Sequence, residues 1–496
     1  MCRRRARTED TRAAASIISR VLIARPMATA STETQAARAG RASGMFRALA
    51  HRNLRLFWAG AFLSNAGTWM QSVAQSWLVL QLTNSGTWLG VDTFMATAPG
   101  LLLTLVGGVI ADLVDRKRLL IYTQAGAGLS ALVLAALVWT GVISKPSDVW
   151  MILVLTFVTG CCWAISSPSY QAITVDLVER EDLANAIALN SSQFQLARVV
   201  GPVLAAVTIQ LLGLAGCFFV NGVSYGAIVV ALSRVRLERP GAARGEASES
   251  VGAESEEAKT EEALTATPRV GGPATRGAGR ALTDRRAMWG DLVEGFRYVR
   301  GRPRVSIILL CSFVVCLFGT PYLVLMPLFA RNVYGWGESG LSLMMGTAGA
   351  GALMGALLLA YLGDFRGKGW FVLGSSFSGG ACITGFALAP HASEALPLLF
   401  GTGFSMVSFF AVGNTLLQQL VTDEMRGRVM SMWILTFIGT MPFGSFLSGA
   451  ASDRFGPRPT LAACGLVIVL FVLTVAAAPS LECSAVGTHL NLKFAV

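Results

Sequence analysis

Twelve long apolar stretches constrain this chain more than any other feature of its sequence. A helix needs about 20 mostly apolar residues to cross a membrane, because every backbone polar group must be hydrogen-bonded within the segment. With edges good to a few residues, the stretches are 54–80, 88–112, 119–141, 149–172, 187–211, 214–234, 305–330, 339–363, 370–390, 395–418, 428–450 and 457–479. The sequence therefore predicts an all-α membrane protein with twelve transmembrane helices.

Composition and motifs exclude several other classes of protein. Of the 496 residues, 53% are hydrophobic and 14% are charged, which is atypical of a soluble multidomain protein. The three histidines lie near segment ends, and no G-x-x-x-x-G-K-[ST] phosphate loop is present, so the chain is predicted not to be an enzyme. Gly351 and Gly355 lie inside an apolar span, where they predict a close helix contact rather than a dinucleotide-binding loop.

The sequence contains no pattern typical of a metal or cofactor site. Seven of its nine cysteines lie inside the apolar stretches, without a C-x-x-C pair or histidines at metal-ligand spacing. Free cysteines are commonly buried, so these are predicted to be packing residues. We therefore expect no cofactor and no metal.

A polar segment divides the twelve stretches into six and six. The predicted organisation is a disordered basic N-terminal extension (1–45), a six-helix bundle (46–234), a linker ending in an amphipathic helix (235–304), a second six-helix bundle (305–480) and a C-terminal tail (481–496). An organelle transit peptide, or a later start at Met27 or Met45, is the alternative for the extension. Met288, Leu292, Phe296 and Val299 carry the amphipathic pattern of the linker's end.

The placement of the positive charge predicts how the chain lies in the membrane. The net charge is +11, and the bases crowd the N-terminal fifty residues, the 113–118 turn, the linker, and two later turns on the same side. The opposite turns contain only Lys145, Arg331, Arg454 and Arg458. This asymmetry predicts a plasma-membrane protein with both termini and the linker in the cytoplasm, and it argues against a nucleic-acid partner.

The two sets of six stretches repeat each other's charged turns. Asp112 ends the second stretch, and Asp364 ends the eighth, 252 positions later. After the fourth and tenth stretches, "LVEREDLANA" (177–186) has a counterpart in "LVTDEMRGRV" (420–429) at an offset of 243. The sequence therefore predicts an internal duplication.

These features resemble the major facilitator superfamily, and within it the bacterial secretion-type exporters that include the enterobactin exporter. The resemblance covers roughly residues 46–478, and is carried by "FRALAHRNLRLFWAGAFLSNAGTWMQSVAQSWLVLQLT", "LARVVGPVLAA", "DEMRGRVMSMW" and the turn "GGVIADLVDRKR". It implies two six-helix halves that rock around a central cavity, exposing it to one side at a time.

The family's gating signature, G-x-x-x-D-R-x-G-R-K, aligns with the turn after the second stretch. The aligned gating positions are Gly108, Asp112, Asp115, Arg116 and Lys117, and those repeated in the second half are Asp364 and Arg366. The resemblance implies a latch that closes against the eleventh helix near Arg426 and Arg428. Leu113 stands where the family has arginine and Asp115 where it has glycine, so either Arg116 substitutes or the latch is weaker. The alternative is a basic turn that only sets topology.

A row of polar residues on the first helix marks a candidate substrate cavity. Ser64, Thr68, Gln71 and Gln75 recur at spacings of four, three and four, which places them on one helix face. Further polar candidates on other helices are Gln171, Asn221, Tyr225, Asn414 and Gln418. Because polar groups facing lipid are costly, these should face inward, where they either line a substrate pathway or hydrogen-bond between helices.

Two ionisable residues lie clearly within the apolar stretches. Arg198 precedes Gly201 and Pro202, and this segment resembles an antiporter motif whose Gly-Pro pair bends the helix. Arg198 is a candidate to bind an anionic substrate, to pair with an acid, or to fix helices. Asp92 lies about four residues after the start of its stretch, near the outer edge, where it either takes part in proton coupling or extends to water.

We therefore expect a secondary active transporter, and specifically a proton-coupled exporter of a small amphipathic or hydrophobic compound such as a drug or a siderophore-like metabolite. Its expected partners are membrane lipid, that small molecule and protons, and the protein is expected to be a monomer. The export direction and proton coupling come from the family resemblance. The alternatives are an uptake symporter of the same fold, or a non-transporting membrane sensor or assembly factor.

Overall fold

The computed structural model describes residues 47–178, 181–235 and 294–477. These residues form long helices packed side by side, and this part of the chain contains no strand. The predicted N-terminal extension, most of the linker and the C-terminal tail lie outside the described residues.

Five helices make up the described part of the first half. They are α1 (Arg52–Thr83), α2 (Gly86–Leu113), α3 (Arg116–Trp139), α4 (Val149–Asp176) and α5 (Leu183–Arg234). Within α5 the backbone leaves the helical conformation at Gly213, where φ is 70° and ψ is −173°. A side chain would strain this conformation, which glycine adopts readily. The break lies between the fifth and sixth apolar stretches of the sequence.

Seven helices follow in the second half. They are α6 (Pro303–Gly319), α7 (Pro321–Leu328), α8 (Glu338–Leu362), α9 (Lys368–Leu388), α10 (Ala392–Leu420), α11 (Asp423–Phe455) and α12 (Pro457–Ala477). The first two, α6 and α7, meet at Thr320, and α7 continues into a wider helical turn at Phe329–Val333. Prolines at 321 and 327 account for this irregularity because they cannot donate a backbone hydrogen bond.

Nine helical segments of the described residues have the length and apolar composition needed to cross a membrane. One of them, Asn185–Arg234, has 50 residues and contains the Gly213 break, and another, Pro303–Val333, combines α6 with α7. Two more helices of similar length, α1 and α2, with 32 and 28 residues, are not among the nine. The prediction of a helical membrane protein is confirmed at this level, and the count of twelve spans stays a prediction.

The turns between helices gather at two ends of the structure. We call the end where residues 235 and 294 flank the linker the linker end. It also holds the turns at 114–115, 363–367 and 421–422 and the turn residues 177–178 and 181–182. The opposite, distal end holds the turns at 84–85, 140–148, 334–337 and 389–391, together with Gly456. Hydrogen bonds join turns within each end: Lys117 Nζ donates to the Val235 carbonyl at 2.7 Å, and Arg458 donates to the Ala389 carbonyl at 3.1 Å.

Small residues allow several helix pairs to touch along their backbones. On α8, Gly351 lies so close to the Phe400 carbonyl of α10 that no side chain would fit, and a Cβ at Gly355 would lie 2.9 Å from the Phe404 carbonyl. The predicted close helix contact is thereby confirmed. The two halves of the structure meet mainly through α2 against α11 and α5 against α8.

The end of the predicted amphipathic linker helix docks on the start of α11. Residues 294–300 are helical, and Glu294 forms an ion pair with Arg428 at 2.8 Å. The Thr422 backbone N–H donates to the Tyr298 hydroxyl at 3.3 Å. Val299 is buried and Phe296 is exposed, whereas Met288 and Leu292 lie outside the described residues.

Candidate functional site

A buried carboxylate connects three helices of the first half. Gln75 of α1 donates from Nε2 to both oxygens of Asp92 on α2, at 2.8 and 3.0 Å. Thr156 of α4 donates to Asp92 Oδ1 at 3.0 Å and also lies 2.8 Å from Gln75 Nε2. All three side chains are buried. This hydrogen-bonded group, Gln75, Asp92 and Thr156, is called the Asp92 cluster.

The position of Asp92 argues against one of the two alternatives that the sequence left open, extension to water, and its role in proton coupling stays a prediction. Asp92 is the seventh residue of α2, so its Cα lies about 9 Å along the axis from the start of the helix. Its side chain is 8% exposed, and the donors described for it are the neutral groups of Gln75 and Thr156. The carboxyl group is therefore held inside the bundle and does not extend to water.

The polar row of α1 continues from this cluster toward α5. Gln71 donates from Nε2 to Gln75 Oε1 at 3.3 Å, and Asn221 donates to Gln71 Oε1 at 2.6 Å. The hydroxyls of Thr68 and Tyr225 are 3.2 Å apart. The helical spacing thus places Thr68, Gln71 and Gln75 on one face, as predicted, and that face contacts α2, α4 and α5. Ser64, one turn before Thr68, is buried in the same row.

The remaining polar candidates do not join this network. Gln171 of α4 is exposed. Asn414 and Gln418 bond to each other along α10, with Gln418 Nε2 donating to Asn414 Oδ1 at 2.6 Å. The polar network that the structure describes around Asp92 is therefore built by helices of the first half.

Arg198 lies where the two halves meet. Its guanidinium donates to the Tyr322 hydroxyl of α7 at 2.9 Å and lies 5.3 Å from the ring centre of Trp69 on α1. The stacking on Trp69 is a cation–π contact, and within the described residues no ion pair joins this guanidinium to a carboxylate. A Cβ at Gly349 of α8 would lie 2.7 Å from the Arg198 carbonyl, so backbone and side chain both contact the second half.

The Gly-Pro pair that follows Arg198 lies at two helix contacts. Gly201 is packed against Ala66 and Trp69 of α1, where a side chain would not fit. Pro202 faces Gly346 of α8, with 3.9 Å between the Pro202 Cβ and the position of a Cβ on Gly346. The pair therefore lies between both halves, and its role in bending α5 stays a prediction.

The basic residues of the gating turn contact their own half in this structure. Arg116 forms an ion pair with Asp176 at 3.4 Å, and Lys117 binds the Val235 carbonyl. Asp115 caps α3 by accepting from the Arg118 backbone N–H at 3.1 Å. Gly108 and Asp112 lie in the last two turns of α2, and their side-chain surroundings are outside what the structure describes. The latch against α11 stays a prediction.

The described partners of the corresponding charges lie in the second half or at the end of the linker. Lys368 binds Asp364 and donates to Gln419 Oε1 at 2.9 Å, while Arg366 is exposed. The hydrogen bond and charge of Lys368 hold the pKa of the Asp364 carboxyl below its usual range. On α11, Arg426 pairs with Asp423 at 2.5 Å, and Arg428 pairs with Glu294.

Several residues that contribute to these contacts were not predicted from the sequence. Thr156, Tyr322 and Trp69 are partners that depend on which helices touch, and the sequence did not single them out. Gln193 of α5 is buried and bonds to Tyr170 and Asn65 of two other helices, at 3.2 and 3.4 Å. A buried glutamine in an apolar stretch was a usable signal for this second group. Within the described residues, no group of three or more metal-ligating side chains occurs.

Comparisons with known proteins agree with this architecture. A family model described as transmembrane secretion effector matches residues 43–251 and 276–493. The staphyloferrin A transporter of Staphylococcus aureus is 22% identical over 84% of this chain and 94% of its own length. Macrolide efflux protein A of Streptococcus pyogenes is 21% identical over 84% of this chain and 93% of its own length.

The fold is also similar to that of a solved transporter. The inward-facing, unoccupied structure of a bacterial homologue of the human lysosomal transporter Spinster has a TM-score of 0.61, with 13% identity over 85% of this chain and 95% of that chain. The helical membrane architecture and the family match together establish a multi-pass membrane transporter. The chain belongs to the transmembrane secretion effector family of the major facilitator superfamily.

Proposed function

We propose that this protein is a proton-coupled exporter of a small amphipathic or hydrophobic compound and works by alternating access. In this proposal twelve membrane spans form two six-helix halves, with the break at Gly213 separating the fifth span from the sixth. The α6–α7 unit counts as one broken span. Transport then requires the contacts between the halves to open alternately at the linker end and the distal end.

The Asp92 cluster is the observation that supports proton coupling of transport. A carboxyl group held inside a membrane bundle by neutral donors is costly in its charged form, and such groups characteristically belong to ion or proton pathways. Asp92 also contacts α1 and α4, so a change in its charge would alter the packing of three helices at once. We propose that Asp92 binds and releases the coupling proton.

The substrate is proposed to bind where the two halves meet, beside Arg198. This region offers the Arg198–Tyr322 hydrogen bond, the Trp69 ring and the polar row of α1. A mostly apolar site with a few hydrogen-bonding groups suits an amphipathic molecule. The names of the relatives, a staphyloferrin A transporter and a macrolide efflux protein, support a siderophore-like metabolite or a drug.

The linker end is proposed to face the cytoplasm, because the bases of the sequence gather in its turns. In this orientation the Asp112 group and the start of α11 would form the cytoplasmic latch. Among the described contacts of these residues, Arg116 binds Asp176 of its own half and Arg428 binds Glu294 at the end of the linker.

Reconstituted vesicles test this function directly. Purified protein in proteoliposomes is given radiolabelled erythromycin or staphyloferrin A as the probe, and an imposed pH gradient drives the reaction while an internal dye reports proton movement. Export by exchange predicts that the probe moves opposite to the protons, and the Asp92→Asn variant is the matched control. Movement of probe and protons in the same direction would support the uptake symporter instead.

Absence of flux would count for the third alternative. The decisive result would be that neither probe moves under a pH gradient of either direction and that the protein protects an efflux-deficient host from no compound of a drug panel. In that case the proposal of transport is wrong, and a membrane sensor or assembly factor is favoured. Labelling of introduced cysteines from each side of the membrane checks the orientation independently, and it requires no substrate.

A further inference from the structure

The distal end contains a charged contact between the halves that the gating signature did not identify. Asp453, in the last turn of α11, lies against the first turn of α2. Its Oδ1 accepts from the Gly86 backbone N–H at 2.5 Å. Its Oδ2 accepts from the Ser85 and Thr87 hydroxyls at 2.5 and 2.6 Å and from the Thr87 backbone N–H at 2.9 Å. One carboxylate thus receives four hydrogen bonds from the opposite half.

This carboxylate completes the start of α2. The first backbone N–H groups of a helix have no partner within it and carry partial positive charge, so an acid nearby is stabilising. The first turn of α2 contains no acidic residue of its own. Ser85, the N-cap, donates its hydroxyl to Asp453 while accepting weakly from Trp88. The anionic cap of α2 therefore comes from the other half and exists only while the halves touch at this end.

The backbones of the two helices are in contact beneath this cap. A Cβ at Gly86 would lie 2.8 Å from the Gly449 carbonyl, and Gly449 in turn has no room for a side chain against Gly86. One helical turn deeper, a Cβ at Gly90 would lie 2.5 Å from the Ser445 carbonyl. The glycines allow α11 to approach close enough for the short Asp453 side chain to reach the first turn of α2.

The sequence around Asp453 matches the family's gating signature at the opposite end of the molecule. Gly449, Asp453, Arg454 and Gly456 match the first eight positions of G-x-x-x-D-R-x-G-R-K, and Pro457 and Arg458 stand where its final Arg and Lys would be. The turn after α2 instead departs within those eight positions, at Leu113 and Asp115. Gly456 has φ of 89°, which a side chain would strain, so the last glycine of the pattern is needed at this turn. The two motifs lie at the C-terminal ends of α2 and α11, the helices that face each other.

We infer that Asp453 is the positioning residue of a distal gate, a latch that holds the distal end shut while the linker end is open. This inference rests on the proposed alternating access. Asp453 docks on the start of α2, as Asp112 is proposed to dock near the start of α11, so each helix caps the other in one of the two states. Because the two contacts lie at opposite ends, rocking that forms one breaks the other.

The exposure of the contact makes it reversible. Asp453 and Thr87 lie at the surface of the distal end, so water replaces their hydrogen bonds when the helices separate. A fully buried carboxylate would lose its partners at a much larger cost. The latch therefore shifts the balance between two states without locking the protein in either.

A cysteine below the latch reports how often the distal end opens. Ser445 is fully buried between α11 and α2, and its hydroxyl oxygen has no hydrogen-bond partner in the described structure, so Ser445→Cys removes no bond. In the full-length protein in proteoliposomes, the rate of maleimide attachment at position 445 is measured by peptide mass spectrometry. A denatured sample establishes that the thiol reacts when it is accessible.

Removing the carboxylate should open the distal end more often. Asp453→Ala is expected to raise the labelling rate by about tenfold, as loss of charge-assisted hydrogen bonds at a partly exposed site would do. Asp453→Asn is expected to give a smaller increase, because an amide has one acceptor oxygen in place of two. The control is Asp148→Asn, at the same end, whose carboxylate accepts from Ser144 and Lys145 within its own turn. It should leave the rate unchanged.

The donors on α2 provide a second measurement. The Ser85→Ala, Thr87→Val double variant should raise labelling less than Asp453→Ala, and it should add nothing when combined with Asp453→Ala. Labelling within twofold of the parent in Asp453→Ala, or an equal rise in Asp148→Asn, would overturn the latch. Because labelling requires no substrate, a rise without any probe flux would retain the latch and reject the transport function.

Discussion

The two halves of the chain differ in what they place at positions that the predicted duplication would make equivalent. Moving 252 positions along the sequence, the offset between Asp112 and Asp364, aligns Thr68 with Thr320 but the other polar positions with apolar or small residues. The pairs are Ser64 with Cys316, Gln71 with Leu323, Gln75 with Pro327 and Asp92 with Met344. The first half keeps a hydrogen-bonded network where the second half has packing residues.

The second half instead has a group of aromatic rings between α10 and α11. The ring centres of Phe409 and Phe410 on α10 are 5.1 Å apart, and those of Phe410 and Phe437 are 5.4 Å apart. Trp433 of α11 contacts the same group, at 6.2 Å from Phe409. Under the proposed function, this contrast predicts a division of labour, in which the first half binds the proton and the second half supplies apolar contact area for the substrate.

The strongest test of this division is Asp92→Asn. The amide keeps the size of the side chain but cannot exchange a proton, so gradient-driven accumulation of erythromycin in vesicles should fall by at least about tenfold. Exchange of labelled for unlabelled probe without a gradient should continue, because substrate binding and rocking remain. The matched control is Met344→Leu at the corresponding position of the second half, where no change is expected. Equal losses in both variants would contradict the division.

Arg198→Gln should have the next largest effect. The change removes the charge but leaves a donor near Tyr322, so the helix contacts are largely kept. We expect uptake of an anionic probe to fall roughly threefold to tenfold more than that of a cationic probe. The measurement is initial flux of the two probes at equal amounts of folded protein, determined by size-exclusion profile. A uniform loss, or loss of folded protein alone, would assign Arg198 to structure.

The residues in these first two tests could be predicted from the sequence, but the residues that they contact could not. A charge in an apolar stretch is rare enough that Asp92 and Arg198 were identified from the sequence, and the spacing on α1 correctly placed Thr68, Gln71 and Gln75 on one face. Their partners were not predictable, because Thr156 and Tyr322 depend on which helices touch. Helix contacts follow from packing over long sequence separations, which periodicity within one helix does not report.

The gating region shows a similar limit. The sequence motif marked two charged turns as gating elements, which stays a prediction, and it did not indicate which turns are joined in this structure. The contact at Asp453 was missed because Arg454 and Arg458 were assigned to sparse turns with little charge. The signal was present in the spacing of Gly449, Asp453, Arg454 and Gly456.

A third prediction addresses the aromatic side of the division. Phe437 is partly exposed and contacts Phe410, so Phe437→Ala should remove apolar area available to a bound substrate. We expect the KM for erythromycin to rise by about threefold, with kcat changed little, as uniform loss of binding predicts. Leu435→Ala is the control, since Leu435 is an exposed residue two positions away on another face of α11. A similar change in both variants would show that the effect reflects general destabilisation.

The smallest effect is expected for Asp364→Asn, in the turn of the second half that repeats the Asp112 turn. Asp364 is exposed, but its partner Lys368 is buried and also binds Gln419, so the variant should lower the apparent Tm at pH 7 by only about 2 °C or less. Lys368 lowers the pKa of Asp364 in the folded protein, so the stabilisation is complete above the unfolded pKa and disappears as the pH falls through the folded pKa. The difference in Tm between parent and variant should therefore shrink as the pH falls through the lowered pKa of Asp364 and vanish at lower pH. A difference that persists there, or that grows, would mean that Asp364 acts through something other than its charge.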